Sequence, residues 1–180
     1  MDRLEEYAKE NNIPIMQKDG ILFLKNYIKQ NKVKSILEIG SAIGYSAINM
    51  ALVDKDIKIV TIERDVERYK EALKNIQRFN LENQINVILG DALTTKIEGT
   101  FDLIFIDAAK AQYIKFFEKY KLNLNKNGVV ISDNLDFHGL THGDVVIKNK
   151  NLRGLVRKIN NYKEFLKENH EFHTEFLEIG

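Results

Sequence analysis

The chain has 180 residues, a formal net charge of +1 at neutral pH and no cysteine. This length suits one ordinary domain with a full hydrophobic core. A net charge near zero gives no general affinity for nucleic acid, so any such signal must be local. The lack of cysteine excludes disulfides, thiolate metal sites and a cysteine nucleophile. No signal peptide and no membrane-spanning apolar run is visible, so we expect a cytoplasmic protein without a membrane partner.

Two helices are predicted first. The segment Asp2–Asn11 has its apolar residues on one face, and Pro14 ends it. A second helix is expected from about Asp19 to Gln30, with Asp19 as its candidate cap.

The stretch Ile36–Ser46, ILEIGSAIGYS, organises the rest of the chain. Its first four residues, Ile36–Ile39, indicate a buried strand, and Gly40–Gly44 indicate a tight loop. The segment Tyr45–Val53 follows with apolar residues at helical spacing. Strand, glycine turn and helix form the first half of a βαβ unit, in which ligands bind at the carboxyl end of the strand.

The second predicted strand, Ile57–Ile62, ends in Glu63, whose carboxylate can accept hydrogen bonds from both hydroxyls of a ribose. A nucleoside cofactor is therefore predicted. The loop does not have the G-x-G-x-x-G pattern of a dinucleotide site, because Ala42 replaces the middle glycine, and no P-loop lysine follows. Glu38 offers an acidic neighbour for an ammonium, which favours S-adenosylmethionine over NAD. The alternative is an ordinary strand, turn and helix packed with glycines.

The remaining predicted elements alternate between helix and strand. They are a helix over Asp65–Asn80, strands over Ile85–Leu89 and Phe101–Ile106, a helix over Ala111–Leu122, a strand over Gly128–Ser132 and a helix from about Leu152 to Asn169. This alternation predicts an α/β fold: a doubly wound, mainly parallel sheet with helices on both faces.

Polar or acidic residues follow each predicted strand, and in a parallel sheet all of them meet at one edge. They are Glu38 with Gly40, Glu63, Asp91, Asp107, and Asp133 with Asn134. Like charges crowded there repel unless a cation or a hydrogen-bonding ligand lies among them. The set Asp107, Asp133 and Asn134 supplies only oxygen ligands, which suits Mg²⁺ and, less selectively, Mn²⁺ or Ca²⁺. Helix capping is the alternative role.

Lys110 follows Asp107 by three residues, so a first helical turn would direct its ammonium to the same edge. A divalent cation nearby disfavours the charged form of a lysine, which makes Lys110 a candidate general base. A solvated surface lysine is the alternative.

Two weaker signals lie towards the C-terminus. His138 and His142, with Asp144 beyond, could suggest zinc, but they fall in a glycine-containing loop, which is more typical of a substrate-pocket wall. From Lys148 to Lys167 the chain around the last helix carries a basic run against one acid, Glu164: Lys148, Lys150, Arg153, Arg157, Lys158, Lys163 and Lys167. Such a run is either a solvated face or a local phosphate-binding surface.

The motifs LEIGSAIGYS, TIERD, GDAL, IDAAKAQY and SDN resemble, in this order and spacing, the metal-dependent O-methyltransferase family that includes catechol and caffeoyl-CoA methyltransferases. Within it, the PIM…G stretch and the basic segment are most similar to the bacterial tRNA 5-hydroxyuridine methyltransferases. The resemblance implies a Rossmann-like methyltransferase fold. It implies S-adenosylmethionine contacts at Met16, Gly40, Ser46, Glu63, Asp91, Ala92 and Asp107, metal ligation by Asp107, Asp133 and Asn134, and Lys110 as the catalytic lysine.

The resemblance implies metal-assisted methylation of a hydroxyl, with 5-hydroxyuridine at the tRNA wobble position as the expected substrate and 5-methoxyuridine as the product. Candidate tRNA contacts are Arg153, Arg157 and Lys158. A small catechol-like phenol is the alternative substrate, and a catalytically silent RNA- or nucleotide-binding protein is the alternative from another class. A single domain over residues 1–180 and a homodimer are expected. The segment Glu175–Ile179 would form a sixth strand, whose antiparallel partner the sequence does not show.

Overall fold

A computed structural model describes residues 1–136, 141 and 149–179, and these ranges contain six α-helices and five β-strands. In chain order they are α1 (Asp2–Glu10), α2 (Lys18–Gln30), β1 (Ser35–Ile39), α3 (Tyr45–Ala51), β2 (Lys58–Glu63), α4 (Val66–Arg78), β3 (Ile85–Leu89), β4 (Phe101–Ile106), α5 (Tyr113–Tyr120), β5 (Leu124–Ser132) and α6 (Lys150–Glu168). Single 3₁₀ turns, Lys110–Gln112 and Lys121–Asn123, flank α5.

The five strands form one parallel sheet in the order β3-β2-β1-β4-β5. The central strand β1 is in register with both neighbours, because Ile39 pairs with Ile62 on one side and with Ile106 on the other. The carboxyl ends of β1, β2 and β4 therefore lie level with one another. The predicted doubly wound α/β architecture is confirmed.

Helices cover both faces of the sheet because its central strands are apolar on both sides. In β1, Ile36 belongs to the core beneath α1 to α4, whereas the next residue, Leu37, faces the core beneath α5 and α6. The same alternation in β4 sends Leu103 to the first core and Ile104 to the second.

Two local predictions were wrong. Asp19 does not cap α2; the helix begins after Gln17, and Asp19 lies in its first turn. Leu73, one of the apolar residues at spacings of three and four on which the helix over Asp65–Asn80 is predicted, is 42% exposed, because α4 packs through Ala72, Asn75 and Ile76 instead. The helix predicted over Ala111–Leu122 is present as α5, and its first and last predicted residues lie in the flanking 3₁₀ turns.

The segment Glu175–Ile179 forms no strand with the described sheet, so the expected sixth strand is absent there. The residues after α6 contact α5 and the 3₁₀ turn that follows it. The Phe172 ring packs edge-on against Phe117 at 5.2 Å between centroids, and Lys121 pairs with Glu171 at 2.8 Å. Among the described residues, no helix is long and apolar enough to cross a membrane.

Candidate active site

A cleft of ≈ 610 Å³ lies at the carboxyl ends of the strands, as the parallel sheet predicts. Nine of the predicted site residues line it: Met16, Gly40, Glu63, Asp91, Ala92, Asp107, Lys110, Asp133 and Asn134. A smaller cavity of ≈ 200 Å³ surrounds Asp102 near the start of β4. The Asp102 carboxylate already accepts hydrogen bonds from the backbone N–H groups of Lys34 and Ser35. The larger cleft is therefore the candidate site.

Gly40 allows the β1–α3 loop to pass directly over the end of β4. Its φ is +100°, and a Cβ there would collide with the carbonyl oxygen of Asp107. The Gly40 N–H donates to the Ile62 carbonyl at 3.0 Å, which fixes the loop to β2 as well. A side chain at this position would therefore separate the loop from Asp107.

Glu63 is buried at the end of β2 and is held by two backbone groups. Its Oε2 accepts the Ala42 N–H at 2.8 Å, and its Oε1 accepts the Asp65 N–H at 2.9 Å. Each oxygen keeps a lone pair for a further donor, so the carboxylate is oriented to accept two hydroxyls from the cleft. Ala42, which the sequence indicated only as a missing glycine, thus has a positioning role.

Glu38 does not line the cleft, so the prediction that it offers a carboxylate to a cofactor ammonium is wrong. It is fully buried behind the loop and accepts hydrogen bonds from the hydroxyls of Ser46 and Thr61. Burial raises the pKa of Glu38 to about 7, although the two hydroxyls oppose the shift. Ser46, expected to contact the cofactor, is likewise not among the cleft-lining residues and supports Glu38 instead.

Asp107 and Asp133 are placed side by side by the backbone. The Asp107 N–H donates to the Ile39 carbonyl at 3.0 Å, and the Asp133 N–H donates to the Ile106 carbonyl at 3.1 Å. The Tyr113 hydroxyl donates to the Asp133 carbonyl at 3.2 Å. The ladder from β1 through β4 to β5 therefore sets the spacing of the two carboxylates.

The two carboxylates resist ionising together. Burial raises the pKa of Asp107 to about 6; the charge of Asp133 adds to this shift, and Lys110 opposes it. Burial also raises the pKa of Asp133, again against Lys110 and the Asn134 N–H. A divalent cation would relieve the repulsion between them.

The donor set here fits a hard cation. Among the described residues no three His, Cys, Asp or Glu side chains gather for a metal, so the candidate set is two carboxylates with the amide of Asn134. Such a set leaves coordination positions for water or substrate, which is usual for Mg²⁺. Asn134 lies beside them with a φ of +56°, a conformation that asparagine tolerates better than most residues.

Lys110 begins the 3₁₀ turn that follows β4, where it lines the same cleft. Its Nζ lies 5.7 Å from the centre of the Tyr113 ring, and its charge acts on both Asp107 and Asp133. The arrangement can therefore hold a cation and a nearby amine at one end and a ribose at the other.

Several cleft residues were not predicted from the sequence. Arg64 and Arg68, which follow Glu63 around the start of α4, line the cleft, as do Phe116 from α5 and Leu155 from α6. The arginines could have been inferred from their position next to Glu63. The apolar pair could not, because only tertiary packing brings α5 and α6 to this edge.

The predicted tRNA contacts Arg153, Arg157 and Lys158 are exposed on α6 and lie outside the cleft lining. At about 100° per residue, Lys158 projects from a different side of the helix than Arg153. The disfavoured zinc group, His138, His142 and Asp144, lies outside the described residues, as does Lys148.

A family model described as O-methyltransferase matches residues 1–180. The chain belongs to this O-methyltransferase family. A catechol O-methyltransferase of Niastella koreensis is 36% identical over 121 residues, covering 63% of this chain and 54% of that protein. The chain spans 48–61% of the length of the first four curated relatives it matches.

Solved methyltransferase structures share the fold over most of the chain. One from Staphylococcus aureus, provisionally named a caffeoyl-CoA O-methyltransferase, has a TM-score of 0.93 and 39% identity, covering 98% of this chain and 86% of that one. An O-methyltransferase from Bacillus cereus in complex with SAH has a TM-score of 0.81 and 25% identity, covering 94% and 79%. These matches agree with the Rossmann-like methyltransferase fold.

Proposed function

We propose that this protein is an S-adenosylmethionine-dependent O-methyltransferase assisted by a divalent cation. The observation that carries the proposal is one cleft that holds the oriented Glu63 carboxylate together with Asp107, Lys110 and Asp133. The SAH complex of the related Bacillus cereus protein supports the cofactor, and the name of the Niastella koreensis relative supports the reaction.

The cofactor would lie across the carboxyl edge of the sheet. Glu63 would accept the ribose hydroxyls, and Asp91 with Ala92 would border the adenine. Asp107, which lines the cleft directly, replaces Glu38 as the acidic neighbour of the amino-acid tail. Met16, buried against Gly20, would cover the cofactor from the α1–α2 connection.

The methyl acceptor would lie at the Lys110 end of the cleft. Asp107, Asp133 and Asn134 would hold the cation, which when bound lowers the pKa of a chelated hydroxyl. Lys110 would accept the hydroxyl proton at its Nζ. Much of the rate would come from holding the oxygen, methyl and sulfur in line.

For the substrate we propose 5-hydroxyuridine at the tRNA wobble position, with 5-methoxyuridine as the product. Its 5-hydroxyl and neighbouring carbonyl form a chelating pair. The support is the placement of α6, which reaches the cleft through Leu155 and carries Arg153 and Arg157, one turn apart, on its exposed side. Phosphate contacts from that side would be independent of the chemistry in the cleft.

A small catechol-like phenol is the second candidate substrate, favoured by the Niastella koreensis relative. Nucleoside mass spectrometry of tRNA from a deletion strain tests the choice. Loss of 5-methoxyuridine with accumulation of 5-hydroxyuridine is the expected result. Unchanged tRNA, together with efficient methylation of catechols by the purified protein, would establish the phenol instead. Absence of turnover on either, with RNA binding retained, would indicate the silent binding protein.

We also expect a homodimer, which light scattering would test.

A further inference from the structure

The connection between β3 and β4, residues 90–100 and hereafter the β3–β4 loop, has no helix or strand of its own but lines the cleft through Gly90, Asp91 and Ala92. Its first residues form a tight turn. The Thr95 N–H donates to the Asp91 carbonyl at 2.8 Å, and the Leu93 N–H donates to Asp91 Oδ1 at 2.8 Å. A loop without secondary structure leaves other carbonyls in need of donors.

Side chains at the end of α5 supply those donors. Lys119 Nζ donates to the Ala92 carbonyl at 2.7 Å and to the Thr95 carbonyl at 2.6 Å. The Tyr120 hydroxyl donates to the same Ala92 carbonyl at 2.6 Å. Farther along, the amide of Asn123 donates to the carbonyls of residues 97 and 99 at 3.1 and 2.9 Å.

Lys119 does not line the cleft, so it acts on a bound molecule only through the loop. Its ammonium joins the two ends of the turn, and hydrogen bonds from a charged donor are stronger than neutral ones. Burial lowers the pKa of Lys119 while the charge of Asp91 opposes the shift, and burial raises the pKa of Tyr120 to about 12. The Tyr120 hydroxyl therefore remains a donor at physiological pH.

We propose that Lys119 is a positioning residue for the cofactor, holding Asp91 and Ala92 in the conformation that receives the adenine; this inference rests on the proposed function. Without the ammonium, the turn loses the group that bridges the Ala92 and Thr95 carbonyls. Among the described side chains only Tyr120 also contacts both carbonyls, and its hydroxyl lies 3.4 Å from the Thr95 oxygen. The cofactor must then order the loop as it binds. The apparent affinity for the cofactor therefore falls in proportion to the fraction of protein molecules whose loop already has the binding conformation.

The test compares the parent protein with Lys119→Met, which keeps the length and apolar stem of the side chain. Lys115→Met is the matched control, because Lys115 is exposed on the same helix and has no hydrogen bond or ion pair with the described residues. For Lys119→Met we expect the Kd for SAH, measured by calorimetry, to rise roughly tenfold. The KM for S-adenosylmethionine should rise equally while kcat at saturating cofactor stays within about twofold of the parent.

A second readout needs no cofactor. Hydrogen exchange at the amides of residues 93–95 in the free protein should become faster in Lys119→Met and remain unchanged in Lys115→Met. Tyr120→Phe, which keeps the ring and removes one of the donors to Ala92, should raise the Kd for SAH about threefold.

The outcomes separate the two proposals. A parent protein that binds neither S-adenosylmethionine nor SAH would overturn the proposed function. A parent that binds SAH, with Lys119→Met equal to it in Kd and in exchange at residues 93–95, would overturn the positioning role. A fall in kcat without a rise in KM would also overturn it. If Lys119→Met does not fold, Lys119→Gln, whose shorter amide side chain removes the charged donor from the Ala92 and Thr95 carbonyls, decides. An unchanged Kd for SAH and unchanged exchange at residues 93–95 in that variant would overturn the positioning role.

Discussion

The buried carboxyl of Glu38 leads to a quantitative prediction about stability. Burial raises its pKa from 4.5 to about 7, so the folded protein binds a proton that the unfolded chain releases at neutral pH. Stability then falls as the pH rises from the unfolded value through the folded one. Between pH 5 and pH 8 this one group should remove about 2 to 3 kcal/mol of unfolding free energy, since each pKa unit corresponds to about 1.4 kcal/mol.

Glu38→Gln removes the titration while keeping the shape of the side chain. Its carbonyl can accept from one of the two hydroxyls, Ser46 or Thr61, and its amide must donate to the other. Replacing an accepting carboxylate oxygen with a donating amide lowers the unfolding free energy by an amount that does not depend on pH. The difference in unfolding free energy between parent and variant should therefore shift in favour of the variant by about 2 to 3 kcal/mol from pH 5 to pH 8.

Urea denaturation of the cofactor-free protein at both pH values measures this double difference. Titrating groups that do not interact with Glu38 cancel in it, whereas Asp107 and Glu63, whose charges act on Glu38, contribute to it. An equal difference at pH 5 and pH 8 would mean that Glu38 is not protonated in the folded state near neutrality, and the reasoning from burial would fail.

Three further predictions address the site. EDTA should abolish methyl transfer and Mg²⁺ restore it, and Asp133→Ala should abolish it without unfolding; full activity in chelator would contradict the cation set. Glu63→Ala should raise the Kd for S-adenosylmethionine, measured by calorimetry, by roughly ten- to a hundredfold. Lys110→Ala should lower kcat with little change in that Kd. The reverse pattern would contradict the assignment of Glu63 to cofactor binding and of Lys110 to catalysis. Reversing Arg153 and Arg157 to Glu should weaken tRNA binding and flatten its dependence on salt, because two phosphate contacts are lost; filter binding at two salt concentrations would show no change if α6 is only solvated.

The strands were predictable because their apolar runs are short and continuous, which is typical of parallel strands buried on both faces. The bounds of β3 and β4 are those expected from Ile85–Leu89 and Phe101–Ile106. The edge strand β5 begins at Leu124 rather than at Gly128, because Leu124 already pairs with Phe101 before an irregularity shifts the register to the pair Leu103 and Val129.

Most of the site was predictable from one rule, that the carboxyl ends of parallel strands meet. The rule places a residue at the edge but does not give the direction of its side chain. Glu38 pairs in register with Thr61 and turns into the protein, a contact that depends on the alignment of β1 with β2. Nor could the sequence connect Lys119 with Ala92, because that contact joins residues far apart in the chain and has no motif.

The two ends of the cleft share one support, and this affects how variants are interpreted. Helix α5 holds the proposed cofactor end through Lys119 on Ala92 and the proposed cation end through the Tyr113 hydroxyl on the Asp133 carbonyl. Lys110 stands in the turn just before this helix. A substitution that displaces α5 as a whole disturbs all three at once, whereas Lys119→Met touches only the cofactor end. Loss of activity in an α5 variant therefore identifies neither end until the KM for the cofactor and the KM for the methyl acceptor have been measured separately.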